Sequence, residues 1–181
     1  MDEDTGTYLE YGKTGDPALF RMLWDKYKMP VLGTLFRVLH SSREEAEDLL
    51  QEVFIKVMEE RQKFVARAKF STWLYRIALN RAFNAVRNRK ETVPADETLE
   101  DANQDHALNS LVAVEKQTLL KEALGRLNAR QRAALVLKEF EEKTYLEIAE
   151  IMDCSLEAVE SLLFHARTRL RQLLKENHNE S

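Results

Sequence analysis

Apolar residues recur three and four positions apart along most of this chain, the spacing of helices that each bury one stripe. Between about residues 16 and 40, Leu19, Phe20, Leu23, Trp24 and Tyr27 form one set; Val31, Leu32, Leu35, Phe36 and Leu39 form another. Pro30 separates the sets and disfavours helical geometry at Met29, so an interruption is expected there. A second helix is expected from Ser41 or Ser42, with Glu44 or Glu45 three residues on to complete a capping box. Ala46, Leu49, Leu50, Val53, Phe54, Val57 and Met58 make its inner face, leaving Asp48, Gln51, Glu52 and Lys56 outside. A third helix is expected after Ser71 as N-cap, running through Trp73, Leu74, Ile77, Ala78 and Phe83 to about Lys90.

The pattern then stops. Residues 91–107 are polar and acidic, contain Pro94, and are expected to form a flexible linker. Beyond it, helices are expected over about 108–127 and 129–140. Thr144 and Glu147 make a capping box that starts a short helix buried through Ile148, Ala149 and Met152. Asp153 falls where a tight turn needs left-handed backbone, and Ser155 caps a longer helix buried through Val159, Leu162, Leu163 and Ala166. A short helix, a tight turn and a capped longer helix make a helix-turn-helix, with Ala149 at the close crossing. The expected fold is all-α: two small helical domains, 16–90 and 108–176, joined by the acidic linker 91–107. An acidic tail, 1–15, and a short one, 177–181, flank them.

Composition supports this reading and narrows the function. Five Gly and three Pro in 181 residues leave little turn chemistry for a sheet protein. No apolar run approaches a membrane span, and the acidic start Met1-Asp2-Glu3-Asp4 is unlike a signal peptide, so a cytoplasmic protein without membrane insertion is expected. The lone Cys154 excludes an internal disulfide; in the turn, without a basic neighbour, it reads as a small packing residue rather than a redox sensor. The four histidines are scattered, no Cys/His cluster has ligand spacing, and no Gly loop can cradle phosphate. Hence no metal, cofactor or catalytic residue is expected.

The net charge of −4 conceals three blocks. Residues 44–60 are mostly acidic, residues 61–90 contain no Asp or Glu, and residues 91–105 contain Asp and Glu but no Lys or Arg. Alternating blocks suggest separate surfaces for separate partners. In the basic block, Phe64, Phe70, Trp73 and Tyr75 alternate with Lys63, Arg67, Lys69 and Arg76, a mixture suited to stacking bases and neutralising phosphates. Trp73 is better read as core. Asn80, Asn84 and Asn88 recur every four residues beside Arg76 and Arg87, giving one face able to bond exposed base edges. Single-stranded or melted DNA is the ligand this pattern favours.

The helix-turn-helix points to duplex DNA. Leu156, Glu157, Glu160, Ser161 and Phe164 open its second helix toward a major groove, followed by His165, Arg167, Arg169 and Arg171. The arginines suit phosphates; Phe164 suits a thymine methyl. Glu157 and Glu160 have two readings of equal weight, acceptors from cytosine N4 or charges favoured at a helix N-terminus.

Three motifs stand in order. Asp48, Leu49, Leu50, Gln51, Glu52, Val53 and Phe54 make the first, and residues 70–80, from Phe70 through Trp73 and Arg76 to Asn80, the second. The third runs from Tyr145 to Glu150, with Ser155 onward. Together they resemble extracytoplasmic-function sigma factors over nearly all of residues 16–174. The resemblance implies that Asp48, Leu49, Gln51 and Glu52 bind the clamp of bacterial core RNA polymerase. It implies that a loop over about 62–72, with Asn80 and Asn84, recognises and opens the minus-ten element. That site would use Lys63, Phe64, Arg67, Lys69, Ser71, Thr72, Arg76, Asn80, Asn84 and Arg87. The helix from Ser155 would read the minus-thirty-five element through Leu156, Glu157, Glu160, Ser161, Phe164, His165 and Arg167, with Thr144 and Tyr145 from the preceding helix. It further implies a cognate anti-sigma factor that hides the polymerase surface, and a linker threading toward the active site and RNA exit.

Glu160, Leu162 and His165 depart from the basic residues many relatives carry, so the minus-thirty-five contacts cannot be copied across; Asn128 stands where Pro is common. The acidic total and local basic patches predict weak DNA binding by the free protein. Tethering to polymerase would raise the effective concentration of both reading domains at one promoter. A dimeric helix-turn-helix regulator is the rival reading, but it leaves the Asp48 motif and the basic loop without a role.

Overall fold

The computed structural model describes the backbone of residues 1–92 and 111–179, and the side chains of 1–90 and 117–176. Eight helices are described: α1 (Glu3–Thr14), α2 (Pro17–Leu39), α3 (Arg43–Glu59), α4 (Phe70–Thr92), α5 (Leu111–Gly125), α6 (Ala129–Glu139), α7 (Tyr145–Met152) and α8 (Leu156–Asn179). Most of the expected linker, from residue 93, lies outside the described residues.

The first fifteen residues are not a tail. Asp2 caps α1 by accepting from the Thr5 amide, and Gly15 ends it in left-handed geometry at φ 67°. Tyr8 and Tyr11 are buried against α2 and α4. The acidic residues masked this stripe: Asp2 and Glu3 sit at the helix start, where negative charge is favoured, and Asp4 pairs with Lys26 of α2 at 2.7 Å.

Helix α2 also departs from expectation, because Pro30 lies inside it without interrupting it. An internal proline costs roughly 3 kcal/mol. The buried side chains on both sides of it, Tyr27, Val31, Leu32 and Leu35, each contribute about 1.5–3 kcal/mol on leaving water, which outweighs the cost. Ser42 rather than Ser41 caps α3, accepting from the Glu45 amide at 3.2 Å. Met58, expected inside, is half-exposed at the end of α3. Helix α4 begins at Phe70, ahead of the expected cap Ser71, because the Phe70 amide is held by the Thr5 hydroxyl at 2.9 Å.

In the second half, Asn128 and Gln131 form a capping box on α6, and Thr144 and Glu147 form another on α7. The Thr144 amide and hydroxyl hold the Glu147 carboxylate below its ordinary pKa, against a smaller opposing effect of burial. Asp153 takes the left-handed turn position at φ 51°, and the Ser155 hydroxyl accepts from the Ala158 amide at 3.1 Å. Ile148, Met152, Val159, Leu163 and Ala166 close the core between α7 and α8, beneath α6. The helix-turn-helix is thus formed as expected.

The two helical units pack directly on one another, α6 along α2 and α7 across α4. Arg132 of α6 is buried at 5 % exposure and donates through Nε to the Val38 carbonyl at 2.8 Å. Its Nη1 donates to the carbonyls of Leu124 and Leu127, both at 3.1 Å. Burial pulls its pKa down to about 10, so the guanidinium remains charged at neutral pH. The His40 ring bonds the Lys121 carbonyl at 2.8 Å, and Arg37 lies 4.0 Å from the centre of the Phe140 ring.

Candidate nucleic-acid interface

Asp48, Gln51 and Glu52 are exposed on α3, with Leu49 half-buried beside them. Glu52 pairs with Arg81 of α4 at 2.6 Å. Next to Gln51 runs a groove of about 500 Å³ between α2 and α3, floored by Phe20, Trp24 and Phe54 and edged by Ile55 and Met58. The acidic charge of this face repels DNA phosphates, and the neighbouring groove offers apolar area that can be buried.

Residues 60–69 link α3 to α4 and carry the basic side chains. Lys63, Arg67 and Lys69 are exposed, and Phe64 is half-buried. The aromatic residues of this stretch serve the core more than expected: Phe70 and Tyr75 are buried, and Phe64 (edge-on) and Trp73 (tilted) pack against Tyr8 at 5.0 and 5.3 Å between ring centres. Thr72 is also buried, at 3 % exposure, so it does not present a side chain to a ligand. Further along α4, Asn80, Asn84, Asn88 and Arg87 are exposed. Arg87 donates to the Asn84 side-chain carbonyl at 2.6 Å. Asn80, Asn84, Arg87 and Lys90 face Ala129 and Arg130 of α6 across an open cleft of about 820 Å³.

Two of the expected minus-ten contacts are engaged by the helix-turn-helix. Arg76 donates through Nε and Nη2 to the Glu150 carbonyl of α7, the Nε bond at 3.2 Å. Lys69 lies 3.6 Å from the Glu147 carboxylate of the same helix.

On the helix-turn-helix, Glu157, Glu160, Ser161 and His165 are exposed, Leu156 is partly so, and Phe164 is 64 % exposed with its ring 5.5 Å from that of His165. Exposed Leu146 adds apolar area on α7. The Thr144 hydroxyl is spent on its cap. Arg167 donates to the Glu139 carboxylate at 2.9 Å and to the Tyr145 hydroxyl at 3.3 Å, bonds that raise its pKa further. Cys154 is half-buried in the turn. Among the described residues no cluster of His, Cys, Asp or Glu is arranged to hold a metal, and no helix is long and apolar enough to cross a membrane.

Residues 23–92 match the family model for Sigma-70 region 2, and residues 117–170 match that for Sigma-70 region 4. The RNA polymerase sigma-H factor of Pseudomonas aeruginosa is 36 % identical over 178 residues, covering 92 % of both chains. The chain belongs to the extracytoplasmic-function sigma factors. The sigma factor is also 32 % identical to the ECF RNA polymerase sigma-E factor of Haemophilus influenzae, over 92 % of its own length and 93 % of that relative's. A solved structure of RpoE in complex with the anti-sigma factor NepR, from Bartonella quintana, superposes with a TM-score of 0.71 at 26 % identity. That match covers 86 % of this chain and 96 % of the other. The sigma factor is thus a transcription initiation subunit that directs RNA polymerase to promoters, and it is not an enzyme.

The residues that short-range pattern did not reveal are those joining the two units: His40, Arg132 and Glu141. Arg132 sits in an apolar helical stripe, between Gln131 and Ala133, and only its burial distinguishes it from a surface arginine.

Proposed function

We propose that the sigma factor divides its work among three surfaces. The outer face of α3, with Asp48, Leu49, Gln51 and Glu52, docks on the polymerase clamp, and the neighbouring apolar groove extends that contact. Residues 60–69 and the Asn80, Asn84 and Arg87 face of α4 open and read the minus-ten element. The first turns of α8 read the minus-thirty-five element. The single observation that supports this most is the run of residues 61–90, which holds no Asp or Glu and displays Lys63, Arg67, Asn80, Asn84 and Arg87 to solvent. Base edges of melted DNA need amide donors and acceptors, and phosphates need cations, both of which that run supplies.

The form described here is closed. Two elements named for positions about 25 base pairs apart lie ~85 Å apart on straight duplex at 3.4 Å per base pair. Arg76, assigned to one element, is hydrogen-bonded to the helix-turn-helix assigned to the other. Both elements cannot be read from this arrangement, so polymerase and promoter binding separate the domains. An anti-sigma factor, like the one bound to the Bartonella relative, would keep both reading surfaces unavailable. The protein acts in the cytoplasm, where polymerase is.

Runoff transcription with purified core polymerase on fragmented genomic DNA tests this reading. Transcripts should start at one shared two-element promoter and disappear with Asp48→Ala combined with Gln51→Ala. Tight duplex binding by the free protein as a dimer, with no response to core polymerase, would transfer the case to a dimeric regulator.

A further inference from the structure

We propose that α1 is a positioning element for the promoter-reading loop, so that Thr5, Tyr8 and Gly12 set how the minus-ten element is opened and which bases it prefers. The proposal rests on residues 60–69 being the minus-ten loop. This loop does little to hold itself: its internal backbone bonds are those from Lys63 and Phe64 to the Glu60 carbonyl and from Arg67 to Val65. Helix α1 meets it at both ends and in the middle.

At the far end, the Thr5 hydroxyl donates to the Asp2 carboxylate at 2.6 Å, which turns its lone pairs toward the Phe70 amide, 2.9 Å away. In the middle, the fully buried Tyr8 ring lies 5.0 Å from Phe64 and 4.7 Å from Phe70, while its hydroxyl donates to the Val57 carbonyl at 2.6 Å. At the near end, a Cβ on Gly12 would stand 2.5 Å from the Arg61 backbone oxygen, so glycine is what lets the helix approach the loop. Val65 stays mostly exposed, so its side chain adds little to holding the loop. The backbone path that carries Lys63 and Arg67 is therefore fixed against α1 at Arg61, Phe64 and Phe70, and a reading surface held in place in advance loses less order on binding DNA.

The test uses full-length chain assembled with core polymerase, on a promoter the wild type transcribes and on a library randomised across its minus-ten element. Thr5→Val removes the acceptor without changing shape, Gly12→Ala pushes Arg61, and Thr5→Ser is the conservative rescue. Core affinity should stay unchanged. Permanganate-detected opening on intact duplex should fall about five- to tenfold, the scale of one buried hydrogen bond. Opening should recover on a template mismatched over the minus-ten element, and the ranking of library bases should change. Thr5→Ser should restore both. Equal losses on duplex and mismatched templates, or an unchanged ranking, would overturn the proposal. Arg67→Ala and Asn80→Ala serve as separate controls: if these do not affect minus-ten use, the reading of the loop itself fails.

Discussion

The Tyr75 phenol of α4 donates to the Glu141 carboxylate at 2.6 Å, joining residues 66 apart in sequence across the domain boundary. The other carboxylate oxygen accepts from the Thr34 hydroxyl of α2 at 3.0 Å. Tyr75 and Thr34 are both buried, and burial followed by this hydrogen bond pushes the phenol pKa well above its ordinary value. Glu141 thus accepts from two hydroxyls that the first domain buries beneath the second.

Removing that carboxylate should open the molecule. Glu141→Ala leaves Tyr75 and Thr34 without their acceptor, a cost of about 1–3 kcal/mol for each buried group left unpaired in the closed form. Fluorophores placed on α1 and α8 should report a longer mean separation in the free variant. Tyr75→Phe, which removes donor and need together, should have a smaller effect. Equal separations in Glu141→Ala and wild type would show that the latch does not hold the domains.

Arg132 makes a stronger demand. Its guanidinium serves three carbonyls, one of them Val38 in the other domain, and it is buried with no carboxylate partner among the described residues. Arg132→Met fills similar space but abandons all three acceptors, and Arg132→Lys cannot reproduce the fork. Each should lower stability by at least about 2 kcal/mol, read as a drop in the thermal midpoint. A loss confined to Met, with Lys equal to wild type, would mean that charge matters there and geometry does not.

Closure should weaken in acid through His40. Burial lowers its pKa below the ordinary 6.5, and its ring meets the Lys121 carbonyl. The closed form therefore prefers the neutral imidazole, whereas the open form binds a proton near pH 6.5. The sign follows: the contribution of His40 to closure is complete above about pH 6.5 and declines as pH falls below it. Protection factors of the α5 amides, taken relative to the intrinsic exchange rate at each pH, should fall between pH 7 and 5.5, and His40→Gln should flatten that dependence. Gly125 reinforces the point, since a Cβ there would lie 2.6 Å from the His40 ring; Gly125→Ala should mimic acidification at neutral pH.

Residue patterns went far with local structure and stopped at contacts between distant segments. The capping box of Thr144 and Glu147, the left-handed Asp153 and the Ser155 cap were legible because each is decided within a few residues. The break expected at Pro30 did not occur, because the burial that holds α2 together comes from α1, α3 and α4. Likewise Phe70 and Tyr75 look like stacking residues beside basic neighbours, and only the packing of Tyr8 and Glu141 against them makes them core. Asp48, Gln51, Asn80 and Asn84 are exposed as the helical period requires, since surface position on an isolated helix is itself a local property.

The exposed cations and amides of the basic face should separate in their response to salt. Arg67 is exposed on the loop, suited to a phosphate, whereas Asn84 is exposed on α4 with its carbonyl held by Arg87. A phosphate contact on single-stranded DNA contributes about 0.7 to the slope of log affinity against log salt, and a base contact contributes almost nothing to it. Holoenzyme carrying Arg67→Ala should bind a pre-melted promoter with that slope reduced by about 0.7 and with its base preferences intact. Asn84→Ala should keep the slope and lose discrimination at one position by about 1–3 kcal/mol, roughly five- to 150-fold. Titrations at several potassium chloride concentrations on templates differing at single minus-ten bases give both quantities. If Asn84→Ala shifted the slope while Arg67→Ala changed base preference, the two roles would have to be exchanged, and the loop rather than α4 would be reading the sequence.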